Sequence, residues 1–314
     1  MNVGAPTTAP TAAPASALGG VARQELAQAR FGYAFALPAM LLMLGIIIGP
    51  SLVVVAISLT DYELGVIDWR WIGLANYEEM LNDRKFWRSI SNTFTYVAIL
   101  VPSAVLLGLA VAIMVHARTR TKRLYEVIYF LPVTTTLVAM ALVWNFVLHS
   151  KIGPVNALLV AMGFEPIAFF SDRDVVLWSL ALIALWQLIG FNMILFIAGL
   201  SAIPQDLYDA AAVDGADGWL DKFVRVTWPM LGPTTMFVVV TTSITAFKVF
   251  DTIAVLTDGG PRGASEVLLF SIYLEGFEYF RMGYASALTV AFLTFILLFS
   301  LVQAWVIDRN VHYR

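Results

Sequence analysis

Residues able to do chemistry are few and scattered in this 314-residue chain. No Cys is present, and the three His (His116, His149, His312) include no pair at metal-ligand spacing. Disulfides, thiolate catalysis and a metal centre are therefore poor expectations. Lys248 and Asp251 lie three apart in an apolar stretch, a spacing that puts both on one face of a continuous helix. Charged side chains are costly in lipid and mark a pathway or gate; a mutually neutralising pair facing another subunit is the competing reading. Gln187 and Asn192, in a second apolar stretch, could hydrogen-bond solute hydroxyls or join helices across a bundle. Asn145 and Trp144 are weaker candidates of the same kind. A phosphate-binding loop needs a glycine-rich turn closing on Gly-Lys-Ser/Thr. No Gly-Lys dipeptide occurs, and "DGGPRG" (258–263) lacks the lysine and reads as a shaping turn. The chain thus offers no phosphate-binding loop of this kind.

The elements that position these residues are apolar. Hydrophobic residues make up 60% of the chain and charged ones 13%, where an average soluble domain has about 25% charged. A mean hydropathy of +0.80 indicates an all-α, multi-span membrane protein. The net charge of −3 gives no reason to expect nucleic acid as a partner. Six segments reach the ~20 apolar residues needed to cross a bilayer: 34–59, 90–115, 125–148, 175–200, 231–256 and 284–307. Pro38, Pro50, Pro102 and Pro132 fall in or near them, which bundled spans tolerate. Residues 1–28 are rich in Ala, Pro, Thr and Gly without an apolar core, which predicts a disordered tail rather than a cleaved signal. Residues 29–314 then form the six-span domain. "GIIIG" (45–49) fits close helix packing or plain internal packing. Trp69, Trp71, Phe86 and Trp87 are expected at an outer interface.

The short loop carrying Arg118, Arg120, Lys122 and Arg123 is the strongest positive-inside signal. Placing it in the cytoplasm puts both termini there, together with residues 201–230 between the fourth and fifth spans. That loop holds "DAAAVDGADG" (209–218). Pro204 suits a first helical position and Asp206 the positive first turn. Gly215 can end or bend the helix. A second short helix is expected from Trp219 to Thr227, capped by Asp217, before Pro229 admits the fifth span. Ala210, Ala211 and Ala212 leave a low surface for a partner's groove, flanked by Asp209 and Asp214. A solvated Ala/Asp-rich loop fits the same residues.

"IPQDLYDAAAVDGADGWLDKFVRVTWP" resembles the cytoplasmic coupling motif of permease subunits in binding-protein-dependent ABC importers. In that motif Glu-Ala-Ala is followed by a glycine four residues on and a closing Leu-Pro. Asp209, Ala210, Ala211 and Gly215 fit it, with Asp for Glu. The chain departs from the pattern in having one more residue between Gly215 and Pro229 and Trp228 where Leu is usual. "GLANYEEMLNDRKFWRSISNTFTYV", "GPVNALLVAMG", "WQLIGFNMILFIAGLSAIP", "FKVFDTIAVLTDGGP" and "GYASALTV" resemble further blocks of carbohydrate-importer permeases. The likeness covers nearly everything after the tail. It is to the first of two paired permeases, in the branch serving maltose-type sugars and glycerol 3-phosphate, and "VIDRNVHYR" leans towards the glycerol-phosphate side.

The resemblance implies a bacterial inner-membrane subunit that pairs with a second homologous permease. Two ATP-binding cassette subunits would bind ATP and Mg, and an extracytoplasmic solute-binding protein would deliver the cargo, so this chain needs no cofactor. Asp209, Ala210, Ala211, Asp214, Gly215 and Pro229 become the coupling residues, and Gln187, Asn192, Lys248 and Asp251 the pathway candidates. Two rivals are a multi-span membrane transferase, which needs carboxylates or metal ligands gathered at one face, and a proton-coupled carrier that works alone.

Overall fold

A computed structural model describes residues 32–33 and 35–308. The expected tail (1–28) and the end of the chain (309–314) lie outside the described residues. Every described element is helical apart from a single bridge between Thr60 and Trp71.

Helix α1 (Phe35–Ile57) is apolar over its length. Within it "GIIIG" overlaps a π-helical turn, Leu44–Ile48, just ahead of Pro50. Pro50 has no N–H to continue the α ladder, and a wider turn before a proline accommodates that loss.

From Ile57 onward the chain forms a second compact unit. Its helices are α2 (Ala75–Asn82), α3 (Arg84–His116), α4 (Lys122–Phe130), α5 (Leu137–Val147), α6 (Pro154–Ala161) and α7 (Val176–Ser201). They continue as α8 (Gln205–Val213), α9 (Trp219–Lys222), α10 (Gly232–Phe247), α11 (Asp251–Leu256), α12 (Leu268–Tyr273) and α13 (Met282–Asp308). Five stretches are long and apolar enough to cross a membrane, or six when the bent pair α4–α5 counts as one. They correspond to the segments expected from hydropathy, with two revisions of shape.

The third segment, expected as one span over 125–148, is broken. Residues Lys122–Thr134 and Leu137–Val147 meet at 100°. Thr135 and Thr136 are extended, with ψ of 149° and 136°. β-Branched residues tolerate a helix poorly, and Pro132 leaves the preceding turn without a donor. The fifth segment also breaks. α10 ends at Phe247, Lys248 turns out of the helix, Phe250 has φ −147° and ψ −56°, and α11 restarts at Asp251.

Helices α3 and α7 are the central packed pair. One buried cluster joins Tyr96, Leu100, Leu180, Phe247, Phe270 and Leu288; the other joins Ala112, Met193, Phe196, Leu231 and Val238. In lipid no water is expelled from between helices, so shape carries association. At Gly190 of α7, a Cβ would lie 1.9 Å from the Tyr129 carbonyl oxygen, so only glycine lets α4 seat against α7. Phe247 meets Phe94 and Phe295 edge-on, with centroids 6.0 and 5.2 Å apart, the geometry that aromatic quadrupoles favour.

At the start of α13, Arg281 pairs with Glu79 of α2 and, at 3.2 Å, with buried Glu275, while stacking 4.6 Å over the Tyr284 ring. Burial raises the Glu275 carboxyl above its ordinary range, and Arg281 and Lys85 oppose that rise. A carboxyl whose folded pKa is raised stabilises the fold below its unfolded value near 4.3 and loses that contribution as pH climbs through the folded value. Arg281→Gln removes the opposing charge. Its thermal midpoint in detergent should therefore fall further below wild type at pH 8 than at pH 4; equal deficits at both would refute this account.

Candidate coupling segment and solute cavity

The acidic, alanine-rich stretch forms a capped helix with an elbow. Pro204 is the N-cap of α8, with φ −61° and ψ 137°, one residue ahead of the first helical position expected for it. Asp206 lies in the first turn, where a negative charge suits the helix dipole. At the other end Ala216 N–H donates to Ala211 O at 2.9 Å and Gly215 N–H to Ala212 O at 3.2 Å. This pair of bonds is the Schellman closure. It places Gly215 at φ +83°, a left-handed conformation that costs any residue with a Cβ roughly 1–2 kcal/mol. Ala216 is fully buried beyond the turn.

The second helix is capped by extended Gly218, not by Asp217 as the sequence suggested. It runs through α9 into a π-helical stretch, Phe223–Thr227, and then Trp228–Met230. Pro229 cannot donate to the Arg225 carbonyl, and the π turn falls just before it, so the chain remains helical almost to α10. Tyr208 Oη and Thr227 Oγ1, 3.0 Å apart, tie α8 to this run.

The two faces of α8 differ. Tyr208 and Ala211 pack against the second core cluster, whereas Asp209, Ala210, Val213, Asp214 and Gly215 are exposed. Val213, Trp219, Leu220 and Val224 add exposed apolar surface around the elbow.

The pathway candidates separate into two groups. Asn192 is fully buried; its Nδ2 donates to Ala104 O at 3.2 Å and its Oδ1 accepts from Thr242 Oγ1 at 3.2 Å. It thus links α3, α7 and α10 and lines no cavity described here. Gln187, Lys248 and Asp251 do come together, around a cavity of about 200 Å³ that also meets Tyr96, Thr245 and Thr252. Lys248 and Asp251 do not share a helix face, because the fifth segment breaks between them, and no ion pair joins them among the described residues. Gln187 Nε2 donates to Thr135 O at 3.1 Å and to Pro132 O at 3.4 Å, closing the break in the third segment.

Sequence reasoning missed Thr252. It is 1% exposed, lines this cavity, and its Oγ1 has no hydrogen-bond partner among the described residues. Its adjacency to Asp251 was the available signal, obscured by assuming an unbroken helix.

Residues 72–312 match the family described as binding-protein-dependent transport system inner membrane component. The chain belongs to this family. It is a permease subunit of ABC importers, and ATP hydrolysis falls to partner subunits. The permease is 34% identical over 287 residues to the probable ABC transporter permease protein YesP of Bacillus subtilis, covering 90% of this chain and 92% of that one. It is 31% identical to the trehalose/maltose transport system permease protein MalF of Thermococcus litoralis, covering 87% and 91%. The permease also shares its fold with a chain from the crystal structure of a bacterial ABC transporter involved in the import of the acidic polysaccharide alginate. That match has a TM-score of 0.78 at 22% identity and covers 91% of this chain and 98% of that one.

Replacing Thr252 by the nearly isosteric Val removes an unpaired buried hydroxyl. Such a change is neutral or stabilising by up to about 1 kcal/mol. Thr252→Val should keep or raise the thermal midpoint while lowering solute-stimulated ATPase in the assembled importer; a clear fall in midpoint would mean that the hydroxyl is already paired.

Proposed function

We propose that this permease forms half of the translocation pore for a sugar, glycoside or glycerol phosphate, and that α8 and its elbow couple the pore to an ATPase. On this reading the coupling segment and both termini face the cytoplasm. The other half of the pore is a second homologous permease, two ATP-binding cassette subunits bind ATP and Mg, and an extracytoplasmic binding protein supplies the solute. The sugar assignment draws on the trehalose/maltose relative and on Gln187, Thr245 and Thr252, which line the cavity beside Lys248 and Asp251. Gln187, Lys248, Asp251 and Thr252 are assigned to the pathway, and Asn192 to the frame that holds it.

The observation that carries the coupling role is the two-sidedness of α8. Its inner face is held against the core through Tyr208 and Ala211, with buried Ala216 just past the elbow, and its outer face offers Ala210 beside Asp209 and Asp214. A short side chain at Ala210 allows a partner backbone to approach closely, and the carboxylates can pair with basic groups on its rim. A free solvated loop has no need of the inner lock.

Ala210 is the cleaner position to probe, since enlarging half-buried Ala211 also disturbs internal packing. In proteoliposomes holding the complete importer, Ala210→Arg should abolish ATP-driven uptake and solute-stimulated ATPase while the thermal midpoint of the permease stays within about 1 °C, the small effect expected of an exposed site. Full retained coupling would sink the docking role.

Gly215 tests the geometry of the elbow. Asn enters the left-handed region far more readily than β-branched residues. Gly215→Asn should therefore keep most of the uptake that Gly215→Val loses. Equal loss in both variants would mean that the partner, not the backbone, demands glycine here.

A further inference from the structure

A second and larger cavity lies at the other end of α5 and α11. It measures about 450 Å³ and is lined by the end of α5, the segment 168–171 and the chain following α11. This volume is within the range of small-ligand sites. Asn145, Ser150 and Ser171 line it, and their side chains make no hydrogen bond among the described residues. His149 lines it too, and its Nδ1 accepts from the N–H groups of Lys151 and Ile152 at 3.2 and 3.4 Å. In the neutral imidazole that leaves Nε2–H as the remaining donor. Phe169 and Phe170 supply aromatic surface, and no Lys, Arg, Asp or Glu is among the lining residues.

The two cavities share a wall. Helix α5 packs against α11. Leu137 at one end of α5 and Asp251 and Thr252 at one end of α11 meet the smaller cavity; Asn145 and Leu256, at the other ends, meet the larger. Asp251 and Leu256 are five positions apart on α11, about 8 Å along the axis. The paired half-helices thus stand as a short partition between two chambers.

We infer that the larger cavity is an outer subsite for a neutral, sugar-sized, polyhydroxylated solute, occupied before the solute passes α5 and α11 to the smaller cavity. Uncharged donors and acceptors around two aromatic rings suit hydroxyl groups and the apolar face of a sugar ring. With no Lys or Arg in the lining, a phosphorylated solute meets neutral donors but no fixed positive charge to offset its lost hydration. This inference rests on the importer reading above and on its orientation.

The chain has no Cys, so Ser171→Cys gives it a single thiol. In right-side-out vesicles carrying the complete importer, that thiol should react with a membrane-impermeant maleimide. Trehalose or maltose at millimolar concentration should slow the reaction about threefold, the protection given by two-thirds occupancy at the weak affinity of a transit site. The same concentration of sn-glycerol 3-phosphate should leave it unchanged. Asn145→Cys, on another wall of the cavity, should repeat the pattern and serves if Ser171→Cys does not assemble. Equal protection by the phosphate ester would overturn the neutral-solute assignment. ATP-driven uptake of trehalose or maltose by the wild-type importer without protection of either thiol would overturn the outer subsite and leave the importer reading standing. Absence of ATP-driven uptake of any of these three solutes would instead fell the sugar reading, and the subsite with it.

Discussion

The bonds from Gln187 to the carbonyls of Thr135 and Pro132 express the constraint on which this architecture depends. Inside a bilayer each unpaired backbone group costs several kcal/mol, so a span can leave the helix only where protein or an aqueous cavity satisfies what the break exposes. The third and fifth segments both break, and residues of both line the same cavity. A side-chain amide supplies a donor to the Thr135 carbonyl, while Pro132 O also accepts from the Thr135 N–H and hydroxyl. In the fifth, Lys248 and Val249 N–H still reach Ile244 and Ala246 carbonyls at 3.2 Å, so the helix unwinds without orphaning its last donors. Polar cavity space in this fold is made by interrupting helices in protected places.

That constraint also separates residues of similar chemistry. Gln187 and Asn192 lie five apart on α7, and either could face a solute or a neighbouring helix. Asn192 is sealed between α3 and α10 with its donor and acceptor both used. Gln187 uses its donor on the broken segment while its residue still borders the cavity. Lys248 and Asp251 differ again, because the break turns them out of a common helix face into exposed positions.

The places where the sequence could be read follow from what kind of signal each feature leaves. Apolar length marks spans without reference to tertiary structure, so the segments are recoverable from hydropathy. The elbow is recoverable too, since Gly215 directly meets a backbone demand at φ +83°. The breaks leave much weaker traces. Thr134-Thr135-Thr136 is only mildly unfavourable to helix, and Lys248-Val249-Phe250 contains neither Gly nor Pro. Their unwinding is decided by packing against α7 and by the cavity beside them, which no local pattern encodes. The spacing argument for Lys248 and Asp251 failed for this reason: a separation of three implies a shared face only while the helix continues. Asp217 was a reasonable cap by residue type, but extended Gly218 begins the helix one residue later.

The same break gives the proposed coupling a mechanical route. From Trp219, three residues past the turn at Gly215–Ala216, the chain is helical through the π stretch before Pro229 almost to the start of α10. Helix α10 then spans 16 residues, about 24 Å, before ending at the cavity. The run leading into it is tied to α8 through Tyr208 and Thr227, and the far end of α10 stops where Lys248 turns out beside Gln187. A displacement imposed on the exposed face of α8 cannot be absorbed at the elbow, because the closing hydrogen bonds and buried Ala216 hold it. Beyond Gly218, the first stretch of this route where the chain leaves the helix altogether is 248–250. A partner that moves α8 would therefore change the shape of the cavity before anything else along α10.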